Sequence, residues 1–258
     1  MLPTLFVTHG APDLALHDVP ARRFLEGLGA SLPRPKAIVS VTAHWETPEP
    51  MTGAAAHPAT IHDFGGFDRR LFQIRYPAAG DPALAERVAG LLRVAGLPAS
   101  VDKTRGLDHG VWVPLLLMYP DATIPVVPLS VQPDRGPEHH FQVGRALESL
   151  RGEDVLVLAS GSFTHDLRRF RGQPIDAATP ADVATFADWF GAALTERRVT
   201  DLLDYRSRAP HAKDNHPTDE HLLPLFVALG AAGPNFHTER LHASSTYGFL
   251  RMDAFAFN

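Results

Sequence analysis

Three short runs dominated by apolar and β-branched residues, Leu2–Thr8, Ala37–Ala43 and Val155–Ser160, leave neither face of a strand suited to water. Strands buried on both sides belong to mainly parallel sheets covered by helices. The first two runs lead directly into His9 and His44, and the third into the turn G-S-F-T-H that ends at His165. Ligands of open α/β sheets sit beyond the carboxyl ends of the strands. The chain therefore reads as one site assembled from distant segments at one end of a sheet.

The remaining segments fill in that architecture. Asp81–Ala95 places Leu84, Val88, Leu91, Leu92 and Ala95 at helical spacing and stops at Gly96. Phe24–Leu32, Gly110–Met118, Phe141–Leu150, Ala181–Arg198 and Leu222–Ala232 also read as helices. Ala99–Asp102 and Ile124–Val131 read as strands, and Pro125 and Pro128 put the latter at an edge or a bulge. Tyr247–Phe257, with alternating aromatics, is a last strand. Residues 46–80 are rich in turn chemistry (T-P-E-P, H-P-A-T, Y-P-A-A-G) and form a candidate rim or lid. With no repeat and no linker, residues 1–258 predict a single α/β domain. Its mainly parallel central sheet is flanked by helices, with a metal site in a cleft at the strand C-terminal ends.

Composition narrows the chemistry. The 258 residues include no cysteine, so thiolate zinc sites, iron–sulfur clusters, disulfides and cysteine nucleophiles are excluded. Fourteen histidines remain as the main source of ligands. Neutral imidazole is the commonest protein metal ligand and the usual acid/base near neutral pH. A net charge of -5 and no Lys/Arg run argue against a nucleic-acid partner. No apolar run is long enough to span a membrane and the N-terminus lacks a signal-peptide pattern, so the expectation is a cytoplasmic protein, monomeric or a small homo-oligomer.

The histidines differ in context. His9 and His44, at strand ends, favour metal ligation. His165 suits either a ligand or an acid/base. His109, between Asp108 and Gly110, either hydrogen-bonds substrate or caps the apolar helix. His62, in I-H-D-F-G-G-F, is placed at the pocket rim. His216 and His221 are five apart, about 140° around a helix, so they do not share a face as an i,i+4 ligand pair would. One of them faces the cleft and the other is structural. His221 lies nearer the following helix, which would hold it more rigidly. No dinucleotide fingerprint or P-loop occurs. Ser162 lacks the final glycine of a nucleophile elbow.

Taken in order, T-H-G-A-P, T-A-H-W, I-H-D-F-G-G-F, L-D-H-G-V-W-V-P-L, P-L-S-V-Q, S-G-S-F-T-H-D-L, N-H-P-T-D-E-H-L-L-P and Y-G-F-L-R-M-D-A-F resemble the 4,5-DOPA dioxygenase extradiol-like family. That family lies within the class III extradiol ring-cleavage dioxygenases. The resemblance implies an oxidoreductase that opens a catechol-type, DOPA-like aromatic with O2. It implies one divalent metal per chain, Zn2+ as commonly bound and Fe2+ for ring cleavage. Carried over by motif, His9, His44 and His221 are the metal ligands, with Glu220 or His216 as the alternative third ligand. His165 and His109 are catalytic, and His62 and His216 contact substrate. Two departures stand out: Ala11 replaces a serine, and Asp166 replaces an asparagine, where its charge is expected to raise the pKa of His165. Zinc-dependent hydrolysis, with Glu220 or Asp108 as base, and non-catalytic metal binding are the competing readings.

Overall fold

The computed structural model describes all residues, 1–258. Its strands are β1 (Thr4–Thr8), β2 (Ala37–Glu46), β3 (Met51–Gly53), β4 (Ser100–Asp102), β5 (Val126–Val131), β6 (Val155–Gly161), β7 (Thr238–His242), β8 (Ser245–Thr246), β9 (Leu250–Arg251) and β10 (Ala254–Phe257). Eight of them form one sheet in the order β4-β3-β5-β2-β6-β1-β10-β7, and β8 pairs with β9 apart from it. The four strands β5, β2, β6 and β1 are mutually parallel; at one side β10 runs antiparallel to β1, and β7 antiparallel to β10.

Alternation along each strand divides the core. In β6, Val155, Val157 and Ala159 pack into one apolar cluster and Leu156 and Leu158 into the other. Both faces are thus covered, as an apolar parallel sheet requires. One face carries α2 (Pro82–Val94), α4 (Gly136–Ala146), α5 (Ala181–Thr195) and α9 (Leu223–Ala231), with residues such as Leu84, Val143, Phe186 and Phe226 in the core. The other carries α1 (Pro20–Ser31) and α3 (His109–Met118) through Leu25, Leu28, Val111 and Trp112. Three short helices, α6 (Val199–Leu203), α7 (Tyr205–Arg208) and α8 (Ala212–Asn215), bring the chain back toward the sheet end before α9.

Local chemistry explains the boundaries. Asp81 caps α2, accepting from the Leu84 amide at 2.9 Å, and Gly96 at φ +80° follows its end. β5 is internal, not an edge strand. It tolerates Pro128 because its ladder with β3 contains a single residue pair, Thr52 with Leu129. The expected continuous strand Tyr247–Phe257 is instead broken twice: Tyr247 and Gly248 take positive φ and turn the chain between β8 and β9, and Met252 and Asp253 separate β9 from β10. Segment 46–80 is largely irregular, as expected, apart from β3 and a short 3-10 turn at Arg69–Gln73.

Candidate active site

β1, β6 and β2 end side by side, with β6 in the middle. His9 and His44 therefore come from strands that are not neighbours. They meet across β6 because that strand ends in two small residues, Ser160 and Gly161. A Cβ on Gly161 would lie 2.1 Å from the His221 carbonyl oxygen, so only glycine lets the 221 segment close over the strand end. Gly10, at φ +65°, turns the chain directly after His9.

The three imidazoles converge through Nε2. His9 Nε2 stands 3.0 Å from His44 Nε2, which stands 3.3 Å from His221 Nε2. The opposite nitrogens are held from outside. The Ser160 hydroxyl donates to the Gly110 carbonyl, so it accepts from the Nδ1–H of His9 at 3.0 Å. His221 Nδ1–H donates to Glu220 Oε1 at 2.8 Å. With those protons on Nδ1, His9 and His221 direct bare lone pairs at a shared point, an arrangement that calls for a cation. The distances fit one: nitrogens at about 2.1 Å from an ion stand roughly 3.0 Å apart in octahedral and 3.4 Å apart in tetrahedral coordination. Burial holds His9 and His221 well below the ordinary imidazole pKa, reinforced by the surrounding histidines. Burial, with His109 nearby, lowers His44 to about 3. Neutral imidazoles are the form a metal binds.

Around this cluster lies a cavity of about 360 Å³. His109 and His165 line it together with Phe64, Phe67, Leu167 and Leu250. Asp63 fixes His109 twice, accepting from its backbone amide at 3.0 Å and from Nδ1–H at 2.9 Å. Burial works to raise the Asp63 pKa, but the bonds from His109 prevail and hold it at about 2. His165 stacks on His221 with ring centres 3.4 Å apart, its Nδ1 3.9 Å from Glu220 Oε1. Its amide donates to the Asn215 carbonyl. Burial lowers His165 to about 4, outweighing the opposing Glu220 and Asp166. Asp166 thus acts in the expected, raising direction, but burial overrides it. That carboxylate also caps the turn at Leu167–Arg169 and pairs with Arg168 and Arg169.

The other candidates fall elsewhere. His62 does not line the cavity; its Nε2–H donates to the Ile74 carbonyl at 3.1 Å and its ring packs on Phe64 and Trp112. His216 is fully buried behind the site and donates from Nε2 to the Phe163 carbonyl at 3.0 Å. Its contacts with Phe186 and Tyr205 leave it no path to a bound substrate, so its place is that of a brace for the 163–165 turn. The Ser162 hydroxyl is engaged with the Thr164 carbonyl. Sequence reasoning passed over Asp63 and Ser160. Asp63 stood beside the chosen His62, and only the folded chain shows that the aspartate faces the cluster.

The fold and the cluster define a class: an α/β protein with three imidazoles at the strand carboxyl ends that can hold one metal ion and leave a cavity open beside it. Comparison with known proteins narrows it. Residues 20–251 match the family described as the catalytic LigB subunit of aromatic ring-opening dioxygenase. The chain is 42% identical over 260 residues to a 4,5-DOPA dioxygenase extradiol of Beta vulgaris, covering 98% of this chain and 96% of that one. It is 42% identical over 234 residues to a 4,5-DOPA dioxygenase extradiol of Escherichia coli K12, covering 89% and 85%. A crystal structure of an uncharacterized Escherichia coli K12 protein superposes with a TM-score of 0.83 at 33% identity, over 100% of both chains. The chain belongs to the LigB family of extradiol, aromatic ring-opening dioxygenases.

Proposed function

We propose that His9, His44 and His221 hold one divalent metal, Fe2+ in the active enzyme, and that the cavity beside them takes the diol of a catechol-type, DOPA-like ring. The observation that carries this reading is the convergence of three Nε2 atoms at 3.0 and 3.3 Å, with Nδ1 of His9 and His221 tied to Ser160 and Glu220. Such a centre leaves coordination positions free, as non-haem iron oxygenases need. A ferrous ion there supplies the redox chemistry that couples O2 to the ring, which zinc, with one oxidation state, does not.

The chain's own groups handle position and protons. His165, neutral and on the cavity wall, takes the proton of a catechol hydroxyl on an imidazole nitrogen and returns it as the ring opens. Glu220, 3.9 Å from His165 Nδ1, stabilises the imidazolium in between. His109, locked by Asp63, presents its remaining nitrogen to substrate. Phe64, Phe67 and Leu167 keep water from the reacting ring.

Oxygen uptake by Fe(II)-reconstituted protein, with a Zn(II) sample in parallel, tests the reading on L-DOPA and simple catechols. Uptake and a yellow product with iron alone are expected. Turnover of none of the catechols by fully iron-loaded protein refutes it. His165→Gln should keep the metal while lowering kcat by about a hundredfold or more, the usual weight of a general acid/base.

A further inference from the structure

The cavity shares a wall with a second hollow. Along His165-Asp166-Leu167-Arg168 the residues alternate: His165 and Leu167 line the cavity, while Asp166 and Arg168 line a more open depression of about 770 Å³. The division recurs at the start of β9, where Leu250 lines the cavity and its neighbour Phe249 the depression. The partition is a single chain thick at both places. Leu167 is 59% exposed, so the partition ends at the cavity mouth and a ligand can pass over it. No lysine or arginine lines the cavity itself.

The depression is held in shape from several sides. Gln173 accepts from the Arg171 amide at 2.6 Å and donates to the carbonyls of Arg169 at 3.2 Å and Tyr247 at 3.1 Å. Tyr247 stands at φ +53°, a left-handed conformation costly for an aromatic residue and one that surrounding structure must impose. Its amide donates to the Ile175 carbonyl at 2.8 Å, and its ring stands edge-on to Phe170 at 5.3 Å. Three arginines line this hollow. Arg168 pairs with Asp166 and Arg169 with Asp182. Arg171 makes no ion pair, and its guanidinium donates only to the Phe170 carbonyl, at 2.9 Å. Arg69, two residues past the lining Phe67, also lacks a partner, but it lines neither hollow.

We infer that the depression is the subsite for the amino-acid end of a DOPA-like substrate: with the diol at the imidazoles, the side chain of the ring passes over Leu167 and its carboxylate pairs with Arg171. The inference rests on the ring-cleavage reading above and adds which residues read the substituent. Inside the cavity a carboxylate would lose water with no cation to meet it. Beyond Leu167 it meets an uncommitted guanidinium, whose planar fork matches a carboxylate. An exposed pair of this kind should contribute about three- to tenfold in affinity.

Calorimetry on the Zn(II)-loaded protein, which binds without turnover, tests this with L-DOPA, its methyl ester and methylcatechol. The ester keeps the ammonium and removes only the carboxylate charge. L-DOPA should bind about three- to tenfold more tightly than the ester. Arg171→Ala should erase that ratio and leave methylcatechol unaffected, Arg171→Lys should keep part of it, and Arg69→Ala should preserve it. In Fe(II)-supported oxygen uptake, Arg171→Ala should raise KM for L-DOPA by the same factor at constant kcat. Equal binding of acid and ester by the unaltered protein overturns the inference, as does a ratio that survives Arg171→Ala. Loss of the ratio in Arg69→Ala overturns it by moving the anchor to the other arginine. An Arg171→Ala protein that loses methylcatechol as much as L-DOPA overturns it by making Arg171 structural. Binding of no catechol, methylcatechol included, removes the ring-cleavage reading itself, and the inference with it.

Discussion

Ser160→Ala should weaken metal binding by about 10–100-fold while leaving the fold intact, the range for groups that orient a ligand from behind. The cause lies within α3, whose sixth residue is a proline. Pro114 has no N–H, so the Gly110 carbonyl, four residues earlier, has no helical partner. The Ser160 hydroxyl fills that gap by donating to Gly110. Having spent its proton, Ser160 can only accept from His9 Nδ1, which fixes the His9 proton there and leaves Nε2 bare for the metal. Alanine removes the acceptor. His9 then relieves its buried Nδ1–H by carrying the proton on Nε2, pointing it at the ion. At 1.4 kcal/mol per decade, the expected loss is about 1.4–2.8 kcal/mol of metal affinity. Competition of apo-protein with a chromophoric chelator for Zn(II) or Co(II) reads it, beside urea unfolding of the apo form. Pro114→Ala should produce a smaller loss in the same assay, because the restored N–H competes for Gly110 and frees the Ser160 proton. Wild-type metal affinity in a folded Ser160→Ala protein would refute the relay.

Gly161→Ala forces a Cβ to within 2.1 Å of the His221 carbonyl, and should cost about 1–3 kcal/mol in urea unfolding together with weaker metal binding. An unchanged pair of values would show that the 221 segment moves freely. Chelation should lower Tm, since an ion at a hundred times its Kd stabilises the native state by about 2.7 kcal/mol; a Tm indifferent to chelator argues against a bound ion. Acid should destabilise the fold partly through His140, which is not a member of the cluster. Its Nε2 accepts from the Gln132 amide and its Nδ1–H donates to the Gly136 carbonyl, while burial, its main cause, lowers its pKa to about 3. Because the folded pKa lies below the unfolded one, only the unfolded chain takes up this proton between about pH 6.5 and 3, so stability falls as pH falls through that window. At pH 5 the contribution is about 2 kcal/mol. His140→Gln should reduce the proton uptake on unfolding near pH 5 by close to one; an unaltered slope refutes the assignment.

What was legible in the chain follows from which forces act locally. The buried strands announce themselves because a two-sided strand needs apolar residues at nearly every position, and β1, β2 and β6 lie where those runs predict. His9, His44 and His165 are legible because the end of such a strand is a known place in the fold before any coordinate is known. His216 and His221 could be separated only in part. Their spacing shows that both cannot face the cleft, but which one does is decided by Gly161, where the 221 carbonyl closes on the strand end. Asp63 and Ser160 are ordinary polar residues whose meaning comes from partners 46 and 151 positions away. No local pattern encodes those distances.

Pro114 shows how such distant partnerships still leave a trace. Within α3 it breaks the helix rule by deleting a hydrogen bond, and no packing argument from its own helix explains why it is there. Local and global preferences agree along most of a natural chain, so a conflict at one residue points to a demand from elsewhere. Here the conflict resolves at the site, because the carbonyl that Pro114 leaves free takes the Ser160 proton, and His9 is oriented as a result. The helix carrying His109 and the strand behind His9 are joined by that one relay. The proline is therefore better explained by what it does for a histidine more than a hundred residues earlier than by anything in its own segment.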